Sequence, residues 1–192
     1  AHIPDEAETR ARWGNFAWTA DNAKKVKEII ARYPKGREAS AIMPLLDLAQ
    51  RQVGAETQTQ GWLPVPVIEY CAKEVGMPYI RALEVVSFYT MYNMAPVGRY
   101  HVQVCGTTPC MLRGAEKLKG FCERKIGPKG HVSSGGTFSW VEVECLGACA
   151  NAPMIQINDY YYEDLSVETL EQIIEDLAAG KDPKPGPYVK RQ

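Results

Sequence analysis

Six cysteines stand at positions 71, 105, 110, 122, 145 and 149, and four of them form two close pairs. Cys105-Gly-Thr-Thr-Pro-Cys110 is a C-x4-C and Cys145-Leu-Gly-Ala-Cys149 is a C-x3-C, with 34 residues between the pairs. Four thiolates suit one zinc ion, or a [2Fe–2S] cluster in which each iron takes two cysteines. The cluster asks more of its surroundings. Four thiolates and two sulfides against two ferric irons leave a double negative charge, and reduction adds a third. Backbone N–H groups must therefore approach the sulfurs closely. Gly106-Thr-Thr and Leu146-Gly-Ala are short loops of small residues that permit such an approach. Zinc ribbons and knuckles more often use C-x2-C in polar, Gly-rich turns, whereas here the ligands follow apolar strands. A dithiol enzyme would favour C-x-x-C at a helix start, and the chain has none. The spacing favours metal over thiol redox chemistry and [2Fe–2S] over zinc, with a zinc-stapled structural adaptor as the alternative.

Cys71 and Cys122 lie singly inside helical patterns and are read as small apolar core residues. A secreted disulfide framework fits poorly, because 192 residues can bury a core without staples and the cysteines cluster late in the chain. A reducing compartment is expected instead. The 22 Lys+Arg nearly cancel the 23 Asp+Glu, and the balance holds in each half, with 11 of each sign in residues 1–97. Such a surface has no basic face or acidic tail for nucleic acid or anionic lipid. No apolar run is long enough to insert in a membrane, and no charged-then-apolar signal opens the chain.

The elements that must carry the cysteines follow from periodicity. Residues 1–20 show no sustained period but hold Trp13, Phe16 and Trp18, and are read as an arm that is either packed on something or frayed, with those aromatics as candidates for partner contact. Helices are predicted from Asp21 to Pro34, from a Ser40 cap to Gly54, from Pro64 to Gly76, and from Tyr79 to Met91, with Ala55–Gln60 in a polar loop. In the last helix Phe88, Tyr89 and Tyr92 fall at core spacing. After Pro96 the period changes to two. Tyr100, Val102 and Val104 make a half-buried strand that delivers Cys105 at its end, and Phe138–Cys145 alternates likewise. One helix is expected between them, through Ala115, Leu118 and Cys122. Met154–Ile157 and Tyr160–Tyr162 suggest a hairpin, and Ser166 caps a final helix. The fold class is α+β: an N-terminal helical bundle followed by a thioredoxin-like α/β domain. The divisions are an arm 1–20, a helical domain 21–95, the α/β domain 96–180 and an extended tail 181–192.

The segments Cys105-Gly-Thr-Thr-Pro-Cys110-Met-Leu-Arg113 and Val143-Glu-Cys145-Leu-Gly-Ala-Cys149-Ala-Asn-Ala-Pro153-Met resemble the small [2Fe–2S] subunit family of the NADH-dehydrogenase module of respiratory complex I. Leu48-Ala-Gln-Arg-Gln52, Gly61-Trp-Leu-Pro64, Ser87-Phe-Tyr-Thr-Met-Tyr92, Ile157-Asn-Asp-Tyr-Tyr-Tyr-Glu-Asp164 and Pro183-Lys-Pro-Gly-Pro187 extend the likeness over about residues 21–187. The polar run Ala55–Gln60 departs from the family pattern at one helix end. The resemblance implies one [2Fe–2S] cluster held by Cys105, Cys110, Cys145 and Cys149. It also implies a partner flavoprotein that binds FMN and NADH, and a larger iron–sulfur subunit beside it. The place it implies is peripheral, on the inner face of an energy-transducing membrane, the bacterial cytoplasmic or the mitochondrial matrix side. Related modules serve NAD-linked hydrogenases and formate dehydrogenases. The chain itself shows no G-x-G-x-x-G after a strand and no P-loop, consistent with FMN and NADH sites lying elsewhere.

Other residues have a plainer reading beside the chemical one. His101 shares a strand face with Cys105 and could donate toward a cluster, although a satisfied buried histidine is the simpler reading. Arg113 could stabilise an anionic site or meet solvent. Glu142 and Glu144 would lower a potential if close to it, while exposed strand-face carboxylates are the plain alternative. Tyr160-Tyr-Tyr162 could form an interface patch or pack half in the core.

Overall fold

The computed structural model describes residues 4–190, which form two compact units that divide between Pro96 and Val97. The first three residues, His2 among them, and the last two lie outside the described residues.

The first unit is helical: α1 (Glu6–Trp13), α2 (Ala20–Ile30), α3 (Ile42–Thr57), α4 (Val65–Glu74) and α5 (Tyr79–Phe88). Leu45, Leu46, Val53, Val67, Ile68, Cys71 and Val86 are at most 1% exposed and form its centre. Burial of each such large side chain contributes roughly 1.5–3 kcal/mol. The segment expected as an arm is part of this unit. Its helix α1 is capped by Asp5, whose carboxylate accepts from the Glu8 N–H at 3.4 Å. An eight-residue helix that buries only Thr9 and Trp13 offers a single i, i+4 repeat, too little period to read from sequence. Trp13 and Phe16 are buried, and Phe16, Trp18 and Tyr70 of α4 meet edge to face with centroids 5.3 to 5.9 Å apart. These aromatics are core, not a free partner surface. Conversely, Phe88 and Tyr89 are exposed and meet edge to face, and α5 stops at Phe88, short of the expected Met91. Only Tyr92 packs inward, with its hydroxyl donating to the Met43 carbonyl at 2.9 Å.

Helix α3 differs from expectation at both ends. A 3₁₀ turn, Glu38–Ala41, precedes it, so Ser40 is not its cap. It also continues beyond Gly54 to Thr57 and closes on Gln58 in the left-handed region. Two buried glutamines on α3 then tie the unit together. Gln50 donates to the Met91 carbonyl at 3.1 Å and accepts from the Asn93 N–H at 2.7 Å. Gln52 donates to the Ala17 carbonyl at 2.8 Å and accepts from the Thr19 N–H and the Asn22 side chain. Asn93 in turn donates to the Gly61 carbonyl at 3.0 Å, while its own carbonyl accepts from the Leu63 N–H. Satisfied buried amides of this kind specify one packing, because losing either partner strands a polar group.

The second unit contains β1 (Tyr100–Cys105), α6 (Thr108–Leu112), α7 (Ala115–Lys125), β2 (Phe138–Val143), β3 (Ile155–Ile157), β4 (Tyr160–Glu163), α8 (Val167–Ala178) and β5 (Gly186–Pro187). Its strands form one mixed sheet in the order β2-β1-β3-β4-β5, with β1 parallel to β2 and β5 parallel to β4. The single helix expected between β1 and β2 is two, broken at Arg113-Gly114, which separates the stretch bearing Cys110 from the one that packs on the sheet. Leu118, Phe121 and Cys122 of α7 and Leu170, Ile173 and Ile174 of α8 join Val102, Val104 and Ile155 in the core. The hairpin turns at Asn158, and Ser166 caps α8 in a reciprocal box with Thr169. The tail, expected to be extended, adds edge strand β5 to its own sheet, with the Tyr188 N–H donating to the Glu163 carbonyl at 3.0 Å.

Gly61 has a φ of +87°, and a Cβ there would meet the Gln50 carbonyl and come within 2.9 Å of the Gly54 nitrogen. Gly36 has a similar φ of +84° but open space around it. Gly61→Ala should therefore cost about 3 kcal/mol or more in denaturant unfolding, and Gly36→Ala about 1 kcal/mol. Equal losses would show that backbone conformation, and not close approach, governs position 61.

Candidate metal centre

Parallel strands point their C-terminal ends the same way, and β1 and β2 are neighbours in register, with Cys105 opposite Val143. Cys105 closes β1, and Cys145 follows two residues after β2 ends. The two cysteine loops thus leave one end of the sheet side by side. Pro109 opens α6 near its N-terminus and places Cys110 in its first turn, while Cys149 begins a 3₁₀ turn that leads to β3. The pairs differ in burial: Cys105 and Cys110 are 1% exposed, and Cys145 and Cys149 lie at the surface. Ala115, Ala152 and Met154 pack around the inner pair, with Leu146, Ala148 and Tyr161 half-buried against them.

The loops interlock through the sulfurs. The Thr107 hydroxyl lies 3.4 Å from Cys105 Sγ and also hydrogen-bonds Cys145, while the Leu146 backbone N–H donates back to Cys105. The Gly147 N–H reaches Cys145 Sγ at 3.4 Å, and the Met154 backbone serves Cys110. The Tyr161 hydroxyl donates to the Leu146 carbonyl at 2.7 Å, clamping the second loop from β4. In the sequence Thr107 carried no role beyond its short loop, and Tyr161 none beyond an interface patch or half-core strand. Tyr161 could have been suspected, since it alternates with the core residue Tyr162, whereas Tyr160 is exposed.

Within each pair one thiol sits low and the other high. Burial pushes the Cys105 thiol up, but the Thr107 hydroxyl, the Thr107 and Leu146 N–H groups and Cys110 outweigh it, leaving Cys105 below the ordinary thiol range. Cys110 is raised to about 11 by burial and then by its hydrogen bond to Cys105. The Gly147 N–H and then Cys149 lower Cys145, and Cys149 is raised chiefly by donating to Cys145, 3.4 Å away. Within each pair the lower thiol gives up its proton before its neighbour. Among the described residues no three Cys, His, Asp or Glu side chains are gathered closely enough to hold a single metal ion. The donor set is two pairs, served by backbone N–H groups at an apolar end of the sheet. That is what an anionic two-iron cluster with two thiolates per iron needs. Cys71 and Cys122 are buried apart from this set and are pushed up by desolvation, as core thiols are.

His101 takes its plain role. It is 4% exposed, and its Nδ1 shares a 2.8 Å hydrogen bond with the Ser139 hydroxyl, which accepts from the Gly98 N–H. Burial lowers its pKa to about 4. Arg113 is exposed and, with Cys149, Pro153, Asp164 and Val189, lines an open cleft of about 510 Å³. Met111 and Leu112, next to Cys110, are 47% and 77% exposed. Glu142 carries an ion pair to Lys119 at 2.8 Å.

The model of the family "Thioredoxin-like [2Fe-2S] ferredoxin" matches residues 26–178. A subunit of the NADH-quinone oxidoreductase of Rickettsia bellii is 53% identical over 164 residues, covering 85% of this chain and 95% of that protein. Its counterpart in Rickettsia conorii is 52% identical over 164 residues, with the same coverage of 85% and 95%. Among solved structures, an NAD⁺-reducing [NiFe]-hydrogenase in the air-oxidised state aligns with a TM-score of 0.55 at 19% identity, over 69% of this chain and 23% of that one. At that identity the likeness is one of fold.

Two predictions follow from the titration pattern. In the metal-free folded chain near pH 7, a limiting alkylating reagent should modify Cys145 first, because it is exposed and the Gly147 N–H and Cys149 hold its thiol below the ordinary range. Cys71 and Cys122 should react only after denaturation, as peptide mass mapping would show. His101 supplies the second. Buried, its imidazole stays neutral, whereas in the unfolded chain it takes a proton below about pH 6.5. Unfolding then binds a proton, so this contribution is complete above about pH 6.5 and lost as the pH falls toward about 4. Between pH 7 and 5 the metal-free chain should lose about 2 kcal/mol through this group, and His101→Gln should lack that component.

Proposed function

This chain belongs to the thioredoxin-like [2Fe–2S] ferredoxin family, and from that premise we propose that Cys105, Cys110, Cys145 and Cys149 together hold one [2Fe–2S] cluster. The bound cluster supplies one-electron exchange with the FMN of a partner flavoprotein. The observation that carries the assignment is the pairing of the thiols. Cys105 with Cys110 and Cys145 with Cys149 leave the same end of two parallel strands, each pair with backbone or side-chain donors on its sulfurs.

The chain is a subunit of NADH-quinone oxidoreductase, by identity of about half its residues over nearly the full length of the two rickettsial proteins. NADH gives up a hydride, so two electrons leave together, and a flavin is needed to divide them between one-electron carriers. No dinucleotide-binding or P-loop motif occurs in this sequence, so the nicotinamide and flavin are assigned to a partner flavoprotein, with a larger iron–sulfur protein beside it. The chain's own residues divide the remaining work. Thr107 and Leu146 hold the loops in mutual register, Gly147 and Met154 offer N–H dipoles to the sulfurs, and Tyr161 fixes the second loop. The apolar tips of Met111 and Leu112 beside Cys110 give a partner protein something to cover, which would exclude water from the transfer path. Among the described residues no helix is long and apolar enough to cross a membrane. A peripheral position on the reducing side of the membrane agrees with six free thiols.

Chain purified without oxygen should show visible charge-transfer bands that bleach on reduction, and one EPR-active centre when reduced. Cys145→Ser should abolish both while far-ultraviolet circular dichroism is kept, and Cys71→Ser and Cys122→Ser should keep both. A colourless wild-type chain carrying one zinc ion would sink the assignment and favour the structural adaptor.

A further inference from the structure

We propose that Glu142 and Lys119 act as an opposed pair of charges that sets the reduction potential of the centre held by the four cysteines, an inference that rests on the cluster reading above. Glu142 stands on β2 opposite Val104, one residue short of the level of Cys105. Its side chain crosses to the first cysteine loop and fills the space beside Gly106. A Cβ at position 106 would lie 2.9 Å from both Cγ and Cδ of Glu142. A side chain there would displace the Glu142 carboxylate, which rests against the residue that follows Cys105.

The carboxylate is held in that place. Lys119 of α7 donates to Glu142 Oε1 at 2.8 Å and also pairs with Glu116, while Lys129 lies 4.0 Å from the other carboxylate oxygen. The side chains of Lys119 and Glu142 are 16% and 35% exposed, so solvent screens their charges only in part. The two acids and two bases balance, so the group adds little net charge while both partners are present. Reduction places an extra electron on an already anionic centre, which a nearby negative charge opposes and a nearby positive charge favours. Removing one member unbalances the group, and the sign of the shift depends on which member goes.

The test is an anaerobic redox titration of the full chain carrying its cluster, read by visible absorbance and EPR. Glu142→Gln should raise the midpoint, and Lys119→Gln should lower it. Each shift should correspond to a threefold to tenfold change in the reduced-to-oxidised ratio, where tenfold is 59 mV for one electron. The double variant should return close to wild type, and the single-variant shifts should shrink as ionic strength rises. A purely structural role would move both single variants the same way. That result, or unmoved midpoints with the cluster bands intact, would overturn the proposal. Absence of the bands from the wild-type chain would instead remove the cluster reading, and this inference with it.

Discussion

The parallel pairing of β1 with β2 is the constraint on which the rest of the second unit depends. Antiparallel neighbours would send the two cysteine loops to opposite ends of the sheet. Parallel neighbours send both to the same end, and the register of Cys105 against Val143 brings them to the same level. A parallel pair needs a long crossover. Here α6, α7 and the Gly/Ser-rich stretch before β2 provide it, and α7 covers the sheet as it passes. The same crossover carries Cys110 in its first turn and Lys119 further on, so one topological requirement positions that thiol and the cation paired with Glu142.

Around that end of the sheet, burial and charge are arranged in opposition. The inner thiols sit among Ala115, Ala152 and Met154, where an unpaired thiolate would be costly, and the outer thiols sit in solvent. Each loop offsets this for the other: a hydroxyl from the first loop reaches Cys145, and an N–H from the second reaches Cys105. The thiols therefore do not behave as four equal donors. Each pair shares hydrogen bonding so that one sulfur is ready to lose its proton before the other, and metal binding must release the protons that remain.

In the helical unit, polar groups again decide the arrangement. The apolar stripe of α3 supplies burial that is non-directional and by itself leaves freedom in how its neighbours seat. Gln50 and Gln52 remove that freedom, one by satisfying the Met91–Asn93 loop and the other by satisfying the Ala17–Thr19 turn. The aromatic segment before α2 is folded into this core by contacts with Tyr70, which lies more than fifty residues away in sequence. No local pattern in that segment announces them.

The two cysteine pairs at one end of the sheet, the burial of Cys71 and Cys122, the change from helical to strand periodicity near Pro96 and the Ser166 cap were legible in the sequence. Each is a matter of residue type at short spacing, which local backbone geometry converts directly into placement. The Thr107 and Tyr161 contacts, the burial of Trp13 and Phe16, the break at Gly114 and the pairing of Glu142 with Lys119 were not. Those depend on which residues distant in the chain become neighbours, and strand order and register settle that. By itself the sequence determined that four thiols would stand in two pairs at strand ends. Only the tertiary structure decided that the pairs face one another, that one is buried and the other exposed, and that a carboxylate lies against Gly106. Hydrogen-bond distance and desolvation exist only between groups that folding has brought together.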